Sequence, residues 1–118
     1  MAAESSLSLR DARVRAAFEA VGTLSKDSPA LEGAPVMLRT LGLVQGLLLL
    51  AKDGDSKPIA EAVVTWLRGP PGLVPASTDG VSGLIEELIK GEGHNWIGAA
   101  EAEAIQFLTV LKHLRRVS

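Results

Sequence analysis

The feature that most constrains this chain is an apolar run between charged residues, within the stretch MLRTLGLVQGLLLLAKDG at residues 37–54. The run from Leu41 to Ala51 is too short to span a bilayer, because a membrane helix needs about twenty residues. Arg39 and Lys52 bracket the run. We therefore predict that the run is the central helix of a helical bundle, with most of its leucines in the core.

Apolar residues recur at helical spacing along the rest of the chain, and no segment alternates with the period of two that predicts a strand. Helices are predicted at about 7–24, 35–53, 57–68, 79–90 and 95–118. At 118 residues the chain fits one domain. We predict an all-α fold, a compact bundle of about five helices with no sheet, over residues 1–118. Residues 1–6 are expected to be frayed or disordered, and residues 69–80 to form an irregular loop rich in proline and glycine.

The predicted helices have apolar faces, of which those of the first and the last are examples. In the first helix the predicted core face comprises Leu7, Val14, Phe18 and Val21. In the last helix it comprises Ile97, Ala100, Ala104, Phe107, Leu108, Leu111 and Leu114. The members of each set recur at helical spacing, so each set is expected to face the core.

The composition narrows the possible functions. There is no cysteine, which excludes disulfides, cysteine-bound zinc and thiol catalysis and fits a cytoplasmic protein. The amino terminus lacks the apolar centre of a secretory signal. The net charge of −2 argues against binding nucleic acid with the whole surface, although a local basic patch is compatible with it.

No motif indicates catalysis, so we predict a protein that is not an enzyme and has no cofactor or metal. A phosphate-binding loop and a dinucleotide fingerprint are both absent. His94 and His113 are interpreted as exposed structural residues. The acidic pairs Glu86–Glu87 and Glu101–Glu103 are interpreted as solvated, because residues one or two apart do not face each other on a helix.

Basic residues cluster near the two ends of the chain. The groups are Arg10, Arg13 and Arg15 in the first helix, and Lys112, Arg115 and Arg116 in the last. Both groups are compatible with solubility and with compensation of the helix dipole. That interpretation is favoured, and the alternative is a patch that contacts phosphates without reading sequence.

The central helix contains two glycines and a glutamine. Gly42 and Gly46 lie four residues apart and form a bare strip beside Arg39. Each interior glycine costs a helix about 1 kcal/mol relative to alanine, so the strip indicates close approach by a neighbouring helix or by a partner. Gln45 shares a face with core leucines, and we predict that its buried amide ties the bundle together.

The same stretch resembles the small subunit five of the type III-B CRISPR Cmr complex. That family shows a proline, a basic turn, Gly-Leu-x-Gln and an apolar stretch that ends in lysine and glycine. The matching positions are Pro35, Arg39, Gly42, Leu43, Gln45, Lys52 and Gly54. The carboxyl-terminal segment EAEAIQFLTVLKHLRR, residues 101–116, resembles the last helix of the family. The resemblance covers most of the chain, in order and in length.

The resemblance implies a non-catalytic subunit that stacks with copies of itself beside the other Cmr subunits and contacts the guide–target RNA through phosphates. It implies neither membrane association nor a small-molecule substrate. The candidate RNA-binding residues are Arg13, Arg39, Lys52, Lys112, Arg115 and Arg116. The candidate partner-binding residues are Gly42 and Gly46. The slightly acidic charge and the proline-rich loop depart from the family. The alternative is a helical protein–protein adaptor unrelated to RNA, which would use the glycine strip or that loop.

Overall fold

Six α-helices make up most of the chain that the computed structural model describes, which is residues 8–24, 29–75, 77–89 and 94–117. The helices are α1 (Leu9–Val21), α2 (Ala30–Leu41), α3 (Leu43–Ala51), α4 (Lys57–Arg68), α5 (Gly80–Ile89) and α6 (His94–Val117). No strand occurs within these ranges, which confirms the all-α prediction. The helix count is six rather than about five. The expectation for residues 1–6 lies outside the described residues.

The longest helix, α6, is the centre of the packing, because α1, α2, α3 and α4 all contact it. α5 packs against α3 and α4. The predicted face of α6 is confirmed at its middle, where Ala104, Phe107, Leu108 and Leu111 are buried. The prediction that residues 35–53 form the central helix is therefore wrong, since four of the other five helices pack around α6.

The predicted helix over residues 35–53 is two helices, which are separated at Gly42. Gly42 has φ +91° and ψ 167°, a region that essentially only glycine adopts. The preceding helix begins at Ala30, so Pro35 lies inside α2 and not in a first turn. The helix was misjudged because the hydrophobic pattern continues through Gly42, while the backbone does not.

The core face of α1 differs from the predicted one. Val14 and Phe18 are 42% and 68% exposed, whereas Ala17 is fully buried. Other alanines of α1 are half-buried against the core. Small side chains allow α1 to approach α6 closely, and this close packing buries the alanine face in place of the larger apolar one.

The irregular segment between α4 and α5 is tied to the end of α4, as far as it is described. The Leu73 amide donates to the Leu67 carbonyl at 2.9 Å. The Arg68 guanidinium donates to the Thr78 carbonyl at 2.6 Å. Val74 is buried in the core. The loop therefore contributes to packing rather than standing apart from the domain.

Candidate functional site

The clearest candidate for an interaction site is the outward side of α3. Gln45, Leu48, Leu49 and Lys52 are all exposed and follow each other at helical spacing of i, i+3, i+4 and i+7, so they share one face. We call these four residues the α3 outer face. Its two leucines are 45% and 43% exposed. Some leucines of the apolar run therefore lie in the core and others at the surface. None of the described helices is long and apolar enough to cross a membrane.

The opposite side of α3 explains why the outer face remains exposed. Leu43, Leu47 and Leu50 are buried at 1% exposure each. Gly46 is buried with them, and a Cβ added there would lie 2.6 Å from Leu38 Cδ1 in α2. Gly46 therefore allows α2 and α3 to pack within the chain. The close contact of Gly46 is thus internal, and its assignment as a partner-binding residue stays a prediction.

Gly42 also has an internal role. Its Cα is close to α6, and a Cβ added there would lie 3.5 Å from Glu101 Oε1. That carboxylate oxygen accepts a hydrogen bond from the amide of Leu43 at 2.9 Å. The amino-terminal amides of a helix lack partners within the helix, so Glu101 supplies one for α3. The assignment of Glu101 to a solvated surface is wrong for this reason. The assignment of Gly42 to partner binding stays a prediction.

Gln45 is exposed, so the prediction that its amide is buried within the bundle is wrong. That prediction assumed a helix continuous with α2, in which Gln45 shares a face with Leu38. The break at Gly42 reorients α3 and separates the two positions. The amide consequently lies on the α3 outer face, where it can donate to and accept from a partner.

Glu103 is the one buried charged residue among those that the structure describes, at 7% exposure. It accepts two hydrogen bonds from the Arg13 guanidinium, at 2.5 and 2.9 Å, and one from Trp66 Nε1 at 2.8 Å. The pKa of Arg13 is raised, chiefly by the hydrogen bond to Glu103. Trp66 in turn stacks on Phe107, with ring centroids 5.8 Å apart.

This arrangement bears on two predictions from the sequence. Arg13 is bound to Glu103 inside the domain, so an RNA contact by Arg13 would compete with this ion pair and stays a prediction. Glu103 is buried, so its assignment to a solvated face is wrong. One sequence signal pointed to such a site: a tryptophan in a core stripe needs an acceptor for its indole N–H. Nothing in the sequence indicated that the acceptor would be Glu103.

The carboxyl-terminal cations lie beside an acidic residue of α2. Arg116 donates to Glu32 Oε1 at 2.6 Å, and Lys112 Nζ lies 3.9 Å from the same oxygen. The pKa of Glu32 is lowered, mainly by the hydrogen bond from Arg116 and further by the nearby charges of Lys112 and Arg115. Part of the predicted basic patch is thus neutralised by the chain itself.

Two further candidate cations are at helix ends, and one of them, Lys52, belongs to the α3 outer face. Arg39 is exposed in the last turn of α2, and Lys52 is the exposed residue that caps α3. Neither forms an ion pair with any residue in the described part of the chain. The structure therefore leaves these two available for an external anion.

Sequence reasoning assigned most leucines of the apolar run to the core and did not identify the exposed ones, which are Leu41, Leu48 and Leu49. A comparison with known proteins adds no assignment, since no family model, curated protein or solved structure matches the chain. Within the described residues, no group of three or more histidines or acidic residues is arranged to hold a metal ion. The role of the site is therefore inferred from its own residues.

Proposed function

We propose that this chain is a non-catalytic helical subunit of a cytoplasmic type III-B CRISPR Cmr ribonucleoprotein effector, where it stacks beside the backbone subunits and copies of itself and helps to bind target RNA. The observation that carries the proposal is the α3 outer face, which presents Leu48 and Leu49 to solvent between Gln45 and Lys52. Apolar side chains grouped with polar ones on an exposed face are typical of a surface that a partner covers.

The contact between the two resembling segments supports the proposal. The first segment contains Gly42 and Leu43, and the second begins at Glu101. These residues meet in the fold through the 2.9 Å hydrogen bond from the Leu43 amide to Glu101. The two resembling segments are thus in contact in the fold. Such a contact is expected if the motif serves to maintain a non-catalytic fold.

The proposed RNA contacts are phosphate contacts. Lys52 belongs to the α3 outer face and Arg39 lies at the end of α2. Neither has an internal counter-ion among the described residues. Cations at such positions bind the RNA backbone without reading its sequence, and their contribution falls as salt rises. Base pairing with the guide would supply the sequence specificity.

The proposal is tested by co-expressing the chain with the other Cmr subunits and a guide RNA. We expect the wild-type chain to co-purify, and we expect the double variant Leu48→Ser/Leu49→Ser to be lost from the complex. Leu9→Ser/Val14→Ser is the matched control, because these α1 residues are 44% and 42% exposed but lie outside the α3 outer face. A wild-type chain that neither co-purifies nor changes protection of the target RNA would refute the proposal.

A second candidate function is a protein–protein adaptor that does not bind RNA. It is favoured by the internal use of the other cations, since Arg13 binds Glu103 and both Lys112 and Arg116 lie beside Glu32. An adaptor would use the α3 outer face for protein contacts alone.

A gel shift with single-stranded RNA across a salt series distinguishes the two functions. The ribonucleoprotein function predicts binding that weakens steeply with salt and falls in Arg39→Gln/Lys52→Gln. Arg10→Gln, an exposed cation at the start of α1, is the control and should leave binding almost unchanged. The adaptor function predicts no shift for any of these proteins at moderate salt.

A further inference from the structure

A groove of about 670 Å³ lies between α1 and α4 and shares no residue with the α3 outer face. Its α1 side consists largely of small apolar side chains, which are Ala12, Ala16 and Ala20. Ala62 lines it from α4, and Trp66 and Phe107 lie buried at its base. The proposed function makes no use of this groove.

The shape of the groove suits a helix. Its alanines recur every four residues along α1, from Ala12 to Ala20, which is a length of roughly 12 Å or about two helical turns. Alanine side chains keep the surface of α1 close to its backbone. A second helix can therefore approach α1 at the short end of the usual distance between packed helix axes, which is about 8–10 Å.

The charges on the α1 side of the groove have both signs and lie one turn apart. Arg15 and Glu19 line the groove and are exposed, and neither forms an ion pair with a described residue. The other charged residue of the lining, Glu61, is directed toward α5, because a Cβ added at Gly80 would lie 2.6 Å from Glu61 Oε1. A complementary partner therefore presents an acid to Arg15 and a base to Glu19.

A second copy of α1 has this pattern of charge. In a two-fold symmetric contact the same patch meets itself, so that if residue i contacts residue j of the other copy, j also contacts i. Two α1 helices that face each other across such an axis run antiparallel. Arg15 of each copy then meets Glu19 of the other when the axis passes near position 17, and Ala16 is the groove residue beside it.

We propose that this groove is the interface of a two-fold symmetric dimer, in which α1 of each copy lies along the groove of the other. The alanines allow the close approach, and the two Arg15–Glu19 ion pairs fix the register of the helices. A contact made by one helix and one groove is small compared with the roughly 800 Å² per partner of a stable complex. We therefore expect the dimer to dissociate on dilution.

Sedimentation equilibrium of the purified chain tests the proposal. We expect the mass to rise with concentration from the 12.4 kDa of one chain toward twice that value. Arg15→Glu and Glu19→Arg each place like charges opposite one another, so each variant alone should dimerise about tenfold more weakly. An equimolar mixture of the two variants should dimerise as the wild type does, because one then carries two acids and the other two bases.

An introduced cysteine identifies the surfaces that meet, because the chain has no cysteine of its own. Ala16→Cys, beside the proposed axis, should give a disulfide-linked dimer on mild oxidation. Phe18→Cys is the matched control, because Phe18 is exposed, does not line the groove and lies on the far side of α1 from Ala16. It should remain monomeric at the same concentration. Circular dichroism should match the wild type for every variant.

Three results would overturn the proposal. The first is the mass of one chain at every concentration. The second is a dimer that neither charge reversal weakens, and the third is cross-linking through Phe18→Cys rather than Ala16→Cys, since each places the contact on another surface. Recovery in the mixture separates a lost ion pair from a lost fold. The purified chain is used without other subunits or RNA, so no result depends on whether it joins a Cmr complex.

Discussion

At the scale of single residues, two glycines of neighbouring helices have opposite surroundings. Gly46→Ala should destabilise the fold by about 1–3 kcal/mol, because the new Cβ would lie 2.6 Å from Leu38 Cδ1 in a packed core. Gly33→Ala, in α2, should stabilise it by about 0.5–1 kcal/mol, since no atom lies within 4 Å of the new Cβ and alanine is the better helix former. Urea denaturation measures both, and equal effects would contradict this packing of α2 on α3.

The second residue-scale prediction concerns Glu103. Glu103→Gln keeps an oxygen that can accept the hydrogen bond from Trp66 Nε1. It removes the negative charge that is paired with Arg13, whose side chain is only 13% exposed. We expect a loss of about 3 kcal/mol in the free energy of unfolding, since breaking a buried ion pair from one side leaves an uncompensated charge. Glu86→Gln is the surface control and should change stability by no more than about 0.5 kcal/mol. A loss of similar size in both variants would refute the internal role of Glu103.

At the scale of the elements, the break between α2 and α3 predicts the sign of the stability change on substituting Gly42. That sign distinguishes two helices from one continuous helix. Gly42→Ala should destabilise the fold by about 1–3 kcal/mol, because alanine is strained at φ +91° and ψ 167°. If residues 35–53 formed one helix, the same substitution would stabilise it, since alanine favours a helix interior. Thermal and urea denaturation give the sign directly.

The contact between α2 and α6 gives a pH-dependent prediction. Arg116 lowers the pKa of Glu32 below its ordinary value of 4.5 by hydrogen bonding to its charged form. A carboxylate with a lowered pKa in the folded state contributes stability that is present above the unfolded pKa and is lost as the pH falls through the folded pKa. The stability of the wild type should therefore decrease below about pH 4.5. The decrease should be smaller in Glu32→Gln. The melting temperature, measured as a function of pH, tests this. The same loss at acid pH in the wild type and in Glu32→Gln would argue against the Glu32–Arg116 pair.

At the scale of the whole molecule, exposed and buried aromatic residues should respond differently to substitution. Phe18→Ser should change stability by only about 0.5 kcal/mol, because Phe18 is 68% exposed. Phe107→Ala should cost about 3–5 kcal/mol, because Phe107 is 1% exposed and its loss leaves a cavity beneath Trp66. A large loss on Phe18→Ser would instead support the core face that the sequence predicted for α1.

The sequence predicted the positions of α4, α5 and α6 closely, because their apolar residues are large and regularly spaced. It failed for α1, where alanines make the contact with the core and larger apolar residues point outward. It also failed at the α2–α3 junction, where a single backbone conformation at Gly42 changes which side chains face inward. The failure at this junction also left the α3 outer face unrecognised, since most leucines of the apolar run were assigned to the core.

The sequence alone determined the helical fold class, the absence of cysteine chemistry and the lack of a membrane-length apolar run, because each follows from composition or from local periodicity. Only the tertiary structure decided which polar groups pair. Arg13 binds a residue 90 positions away, and Glu101 caps a helix 58 positions away. Periodicity describes one helix at a time, whereas the choice of buried face and of hydrogen-bond partner depends on the shape of the helix packed against it.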